Sequence, residues 1–371
     1  MKQFGKAILA AVLAASVAAP IPAAPAAAGA GKSSVHRRVT HFRGVPTFAN
    51  STLADIGTFD DPIVRAAAVE GLGRYNGAIV AVDPNTGRIL TVVNQKIAFG
   101  AGYIPCSTIK PTVALAALEE NVITRDTMLK VRGRNKYMNL TEALAHSNNE
   151  FFEQLGVRMG FDTVSKYARL LGLGELAGYN LPEEHPGSFP MAPPAHGGVA
   201  RMSSFGEGIQ ITPFQLVSLA AAFANGVTLY YLQYPRTPDE IQGFAPRIKR
   251  DLNIAPVLPE IREGMLAAVL YGTGKRSFDA GGEEMPLGKT GTCNDPTSRV
   301  GWFVTYADEA HPKIALAVLL RGSSRQVIGP TAAQVAGRIY RRLREQNYFA
   351  TATQPNNTMK PVTIVDTGNG R

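Results

Sequence analysis

Cys106-Ser107-Thr108-Ile109-Lys110-Pro111-Thr112-Val113-Ala114-Leu115 is the stretch on which the fold and chemistry of this chain turn. A serine stands three residues before a lysine, and Val113, Leu115, Ala116, Ala117 and Leu118 continue as an apolar helix. Residues three apart share one helix face, so the Ser107 hydroxyl is expected beside the Lys110 amine. A serine hydroxyl is a poor nucleophile near neutral pH and needs a neighbouring base. A lysine can be that base if burial or a nearby positive charge lowers its pKa. The start of a helix also offers backbone N–H groups to an oxyanion. Ser-x-x-Lys by itself is a weak signal, since a helix-start serine with a solvated lysine has the same spacing.

The chain has 371 residues, of which 45% are hydrophobic and 18% charged. That describes a globular protein with a sizeable core. A formal charge of +9 suits anionic surroundings, whether nucleic acid, acidic lipid or cell-wall polymer. Basic residues gather at 32–43 and 338–344, and a solvated basic surface accounts for them equally well. No module interleaves aromatic and basic residues, so no nucleic-acid partner is expected. Lys2 and Lys6 precede an apolar run at 7–19, Pro20 and Pro22 break it, and small residues follow to Gly31. The run is short for a membrane span, so residues 1–29 are expected to be an export signal. An uncleaved anchor, with membrane association through the N-terminus, is the alternative.

Residues 30–75 look like an irregular lead-in with a short helix at 66–72. Residues 77–82 and 88–93 form a hairpin across the turn Asp83-Pro84-Asn85-Thr86-Gly87. Helices are expected at 141–159, 162–171, 212–225 and 259–271, a long surface loop at 172–202 and irregular chain at 227–258. Residues 285–293, 300–306 and 314–320 read as three strands with short turns, hence antiparallel. A helix at 331–344 closes the main body, which is expected over 76–346, and residues 347–371 form a flexible tail. Strands at both ends with helices between give an α+β class, with the hairpin and late strands in one sheet.

Two further short motifs carry chemistry. Ser147-Asn148-Asn149 lies in the middle helical region, and Lys289-Thr290-Gly291-Thr292 on the first late strand. Gly291 suits a strand that a ligand or backbone approaches closely. Ser-x-x-Lys, Ser-x-Asn and Lys-Thr-Gly in this order resemble the penicillin-binding protein transpeptidase family, in its monofunctional class B form. Residues 206–216, Gly272-Thr273-Gly274 and Gly301-Trp302-Phe303 fit the same family, so the resemblance spans about residues 75–345. It implies an antiparallel sheet flanked by helices plus an all-helical subdomain, as in the serine β-lactamases. The lead-in is shorter than the family's usual pedestal domain, which puts a class B role within a division or elongation complex in doubt.

What the resemblance implies for chemistry can be stated residue by residue. Ser107 would attack the penultimate D-alanine carbonyl of a peptidoglycan stem peptide, and Lys110 would take its proton. Ser147 would relay a proton to the departing D-alanine. Asn149 would hold the substrate amide and Lys110. Lys289 and Thr292 would bind the terminal carboxylate, with Thr290 and Gly291 lining the substrate strand. The N–H groups of Ser107 and Thr292 would form the oxyanion hole. The expected activity is D,D-transpeptidase or D,D-carboxypeptidase, in the periplasm or at the outer face of the cytoplasmic membrane, without cofactor. Stem peptides and β-lactam antibiotics are the expected ligands.

Cys106 stands where relatives often have glycine, and Cys293 follows Thr292. If Ser107 and Thr292 share an oxyanion hole, their neighbours are close enough for a disulfide, which needs Cα atoms about 4.4–6.8 Å apart. A Cys106–Cys293 bridge is therefore expected in an exported protein, with two small buried thiols as the alternative. The six histidines show no metal spacing, so no metal is expected. His146 is read as local structure rather than a base, and Phe151, Phe152 and Trp302 as packing. A serine β-lactamase is the first rival function, although no Glu-x-x-x-Asn motif follows Ser147. A non-catalytic penicillin sensor is the second, and the intact polar set argues against it.

Overall fold

A computed structural model describes residues 44–350, apart from 227, 279–281, 283 and 309, together with 362 and 363. The expected export signal lies outside the described residues, as does most of the expected tail. The elements that position the site are, in chain order, α1 (Pro62–Leu72), β1 (Gly77–Val82), β2 (Ile89–Val93), α2 (Lys110–Glu119), α3 (Leu140–Ala145), α4 (Asn149–Leu170), α5 (Gly198–Phe205), α6 (Pro213–Asn225), α7 (Leu258–Leu270), β3 (Pro286–Asn294), β4 (Arg299–Ala307), β5 (Ile314–Gly322) and α8 (Gly329–Glu345).

Five strands make one antiparallel sheet in the order β2-β1-β5-β4-β3. The early hairpin docks on the last strand, with Gly77 opposite Leu320 and Val82 opposite Ala315. Both faces are covered, so the strands are apolar throughout rather than alternating. The two-residue period still sorts the side chains. Ala78, Val80 and Val82 join an inner core with Trp302, Val304 and Leu319. Ile79 and Ala81 join an outer core with Phe303, Leu316 and Val318, closed by α1 and α8. Helices α2 and α6 fill the inner layer, where Val113, Leu115, Phe214 and Val217 are buried. Helix α6 starts as expected: Thr212 and Gln215 form a capping box, Pro213 opens the first turn, and Gly226 caps the end with φ 97.

Five expectations change. Helix 141–159 is two helices, because Ser147 takes φ 55 and Asn148 caps a new start at α4. The break expected near 160 is a kink within α4 at Gly160, with φ 77. The loop 172–202 gives way to α5 from Gly198. Residues 227–258 include strands Thr228–Tyr230 and Arg247–Asp251, paired antiparallel, a pairing that local periodicity does not reveal. In the lead-in, α1 is longer than the 66–72 helix, and Asp61 caps it by accepting from Ile63 and Val64 N–H. The chain just before it is tied down from afar: Asn76 donates to the Pro46 carbonyl at 2.8 Å, and Ser324 N–H to Thr47 Oγ1 at 2.9 Å.

Candidate active site

The nucleophile candidate sits on a tighter turn than expected. Cys106–Ile109 is one 3-10 turn, and the α-helix begins at Lys110. Residues i and i+3 eclipse in a 3-10 helix. The Lys110 Nζ accordingly stands 3.0 Å from Ser107 Oγ. Thr108 locks the turn by donating from its hydroxyl to the Pro105 carbonyl at 2.7 Å. Ser107 is 8% exposed, so its hydroxyl keeps a narrow opening while Lys110 is fully buried.

The left-handed turn at Ser147 brings two of its oxygens to the same amine. Lys110 Nζ lies 2.8 Å from the Ser147 carbonyl and 3.1 Å from Ser147 Oγ. Asn149, the first residue of α4, adds its Oδ1 at 2.7 Å. Ser147 Oγ also accepts from Lys289 Nζ at 2.8 Å. The Ser147 hydroxyl thus bridges two buried amines, one from α2 and one from β3.

Four oxygens surround Lys110 Nζ, and two of them, the Ser147 carbonyl and Asn149 Oδ1, can only accept. A neutral amine meets this set well. It donates its two hydrogens to those acceptors and keeps a lone pair for a hydroxyl hydrogen, with Ser107 in reach. Burial pushes the Lys110 pKa well below its ordinary value, and the positive charge of Lys289 pushes it further; Glu153 opposes both. Burial lowers Lys289 to about 7.

Strand β3 comes close to the serine turn at Gly291. A Cβ there would stand 2.9 Å from the Pro105 carbonyl oxygen and 3.1 Å from Thr108 Cγ2, so only glycine fits. Two residues on, Cys293 is bonded to Cys106, with Cα atoms 5.7 Å apart. Thr292 Oγ1 accepts from the Gly329 N–H at the start of α8, at 2.7 Å. Thr290 Oγ1 shares a hydrogen with Thr273 Oγ1 at 2.6 Å. The residues given catalytic or substrate-binding roles in the sequence analysis therefore gather around Ser107 and the β3 strand beside it.

Three residues without an assigned role in the sequence reading join them. Thr273 ties β3 to the Ser147 turn, since its N–H donates to the Ala145 carbonyl at 3.0 Å. Its place in Gly272-Thr273-Gly274 was the available signal. Glu153 lies one turn along α4 from Asn149 and accepts from Ser204 Oγ at 3.1 Å. Gly329 closes the back of the strand, and nothing local in the sequence marks it. His146 lies apart, half exposed, against Glu142 and Tyr271. Phe152 is core whose ring passes 5.5 Å from Lys110 Nζ, and Trp302 donates its Nε1–H to the Ile104 carbonyl at 3.0 Å. Among the described residues no three His, Cys, Asp or Glu side chains gather as a metal site, and no helix is long and apolar enough to cross a membrane.

Comparison with known proteins points the same way. Stage V sporulation protein D of Bacillus subtilis is 28% identical over 294 residues, covering 70% of this chain and 44% of that protein. Peptidoglycan D,D-transpeptidase PbpA of Mycolicibacterium smegmatis is 24% identical, covering 76% of this chain and 71% of that protein. The chain spans less than half the length of the first of these relatives. In fold, the crystal structure of PBPA from Mycobacterium tuberculosis superposes with a TM-score of 0.62 at 22% identity, over 76% of this chain and 78% of that one. The model of the penicillin binding protein transpeptidase domain matches residues 77–343, from the first strand through nearly all of α8 and across every motif of the site. The chain belongs to the penicillin-binding protein transpeptidase family.

Proposed function

We propose that the protein is a D,D-transpeptidase of peptidoglycan, with D,D-carboxypeptidase activity when water replaces the acceptor amine, and that it works through an acyl-serine on Ser107. The observation that carries this reading is the buried Lys110 amine, 3.0 Å from Ser107 Oγ and saturated by acceptors. A lysine so placed is a base at neutral pH. In the acylation step Ser107 Oγ bonds to the penultimate D-alanine carbonyl and its proton passes to Lys110. The tetrahedral oxyanion is held by the N–H groups of Ser107 and Thr292. Ser147, within reach of both amines, returns a proton to the leaving D-alanine nitrogen as the peptide bond breaks. Lys289 and Thr292 hold the terminal carboxylate. An amine or water then releases the acyl group.

The basic and apolar stretch at residues 2–19, the disulfide and the peptidoglycan D,D-transpeptidase relative all favour a location outside the cytoplasm. The test is the intact mass of the protein after incubation with a penicillin, followed over hours, for the native chain and Ser107→Ala. The expected result is a lasting adduct of one drug mass on the native chain and none on the variant. Rapid loss of the adduct with hydrolysed drug would identify a β-lactamase. Absence of any adduct would favour the non-catalytic reading.

A further inference from the structure

The disulfide joins two residues that each adjoin a reacting group. Cys106 precedes Ser107, and Cys293 follows Thr292, 187 residues later. Cys106 also has φ 53, a left-handed conformation that a residue with a Cβ adopts at a cost. Its side chain is fully buried, and the sulfur link runs to the end of β3, which among the described residues is an edge strand paired with β4 alone. A covalent tie therefore holds an unfavourable turn in place immediately ahead of the nucleophile. Relaxation of Cys106 would carry the peptide plane between residues 106 and 107 with it, and that plane bears the Ser107 N–H. At the other end, freeing Cys293 would release the strand end that carries Thr292.

We propose that the Cys106–Cys293 disulfide is a positioning element of the acyl-transfer site, so that the rate of Ser107 acylation depends on its oxidation state. This rests on the acyl-serine reading above. Its reductant is a dithiol. One thiolate attacks Cys293 Sγ, the part-exposed partner; the S–S bond breaks and its electron pair leaves on Cys106 Sγ, which takes a proton. The second thiol of the reductant then attacks its own mixed-disulfide sulfur, releasing Cys293 as a thiol and leaving the dithiol oxidised.

The experiment measures acylation by a penicillin, read by intact mass, for oxidised and dithiothreitol-reduced native protein, with reduction checked by alkylation of both thiols. Two double variants, Cys106→Ala/Cys293→Ala and Cys106→Gly/Cys293→Ala, need no reductant. Misplacing a reacting group slows its step, so the reduced protein and the alanine pair should acylate about tenfold more slowly. The glycine pair should recover most of the rate, because glycine takes the left-handed turn without a tether. Both pairs lose the cross-link alike, so thermal unfolding should fall together in the two while acylation separates them. Equal acylation of oxidised and reduced protein would overturn the proposal, as would equal rates in the two double variants. If oxidised native protein is not acylated at all, the acyl-serine reading fails first and this inference with it.

Discussion

Two buried clusters of charge in this molecule are built on opposite plans. Around Asp60, on the segment ahead of α1, buried carboxylates face a cation, with Asp55 and Asp60 both on Arg65. Arg65 Nη1 lies 2.7 Å from Asp60 Oδ2, Thr91 donates to the same oxygen at 2.6 Å, and Tyr234 donates to Oδ1 at 2.5 Å. Around Ser107, two lysines with no exposed surface share one hydroxyl, and among the described residues neither is paired with a carboxylate. The first cluster fastens the lead-in to β2 and the 234 region. The second keeps its amines short of charge stabilisation, which lowers the pKa of both. Complete pairing marks a structural site here, and incomplete pairing a chemical one.

Three substitutions would break or sharpen that contrast. Lys110→Met should lower the acylation rate about 10³-fold, since it removes the general base. It should also cost about 2 kcal/mol of stability, because the Ser147 carbonyl and Asn149 Oδ1 lose their buried donor. An unchanged denaturant midpoint would mean that these acceptors do not depend on the amine. Asp60→Ala should spare that rate and cost about 3 kcal/mol, because Arg65 keeps only Asp55, at 3.4 Å, and Thr91 and Tyr234 lose their acceptor. Denaturant midpoints would register the loss, while the folded protein should acylate at the native rate.

The smallest effect concerns pH. On the proposed mechanism, acylation needs Lys110 free of its proton and Lys289 charged. The rate should rise as Lys110 deprotonates and fall as Lys289 loses its charge above about 7. Lys289→Arg, which stays charged, should flatten the alkaline side by about tenfold per pH unit. Stability moves the other way on that side. Lys289 binds its proton more tightly in the unfolded chain, at 10.5, than in the folded one, at about 7, so the unfolded state holds more protons across that window. Stability therefore rises with pH there as the rate falls, and parallel curves would refute the assignment of Lys289.

The contrast also separates what was legible along the chain from what was not. The three late strands and helices α1, α6 and α8 follow from apolar runs and their caps, which act over a few residues. Ser147 was missed as a break, because a serine with φ 55 between two helices looks locally like helix interior. Its conformation is held by contacts with Lys110 and Lys289, which come from residues 37 and 142 positions away. The Asp60 cluster was invisible for the same reason: its partners lie at 65, 91 and 234.

By itself the sequence determined the α+β order, the family and the identities of the residues around Ser107, because periodicity and motif spacing are properties of neighbouring residues. The tertiary structure alone decided that Lys110 has four oxygens about its nitrogen, that Ser147 bridges two amines and that Cys106 takes a left-handed turn. Those facts depend on burial and on distances between segments far apart in the chain. The pKa of an amine is set by what surrounds it in space, and no local pattern records that.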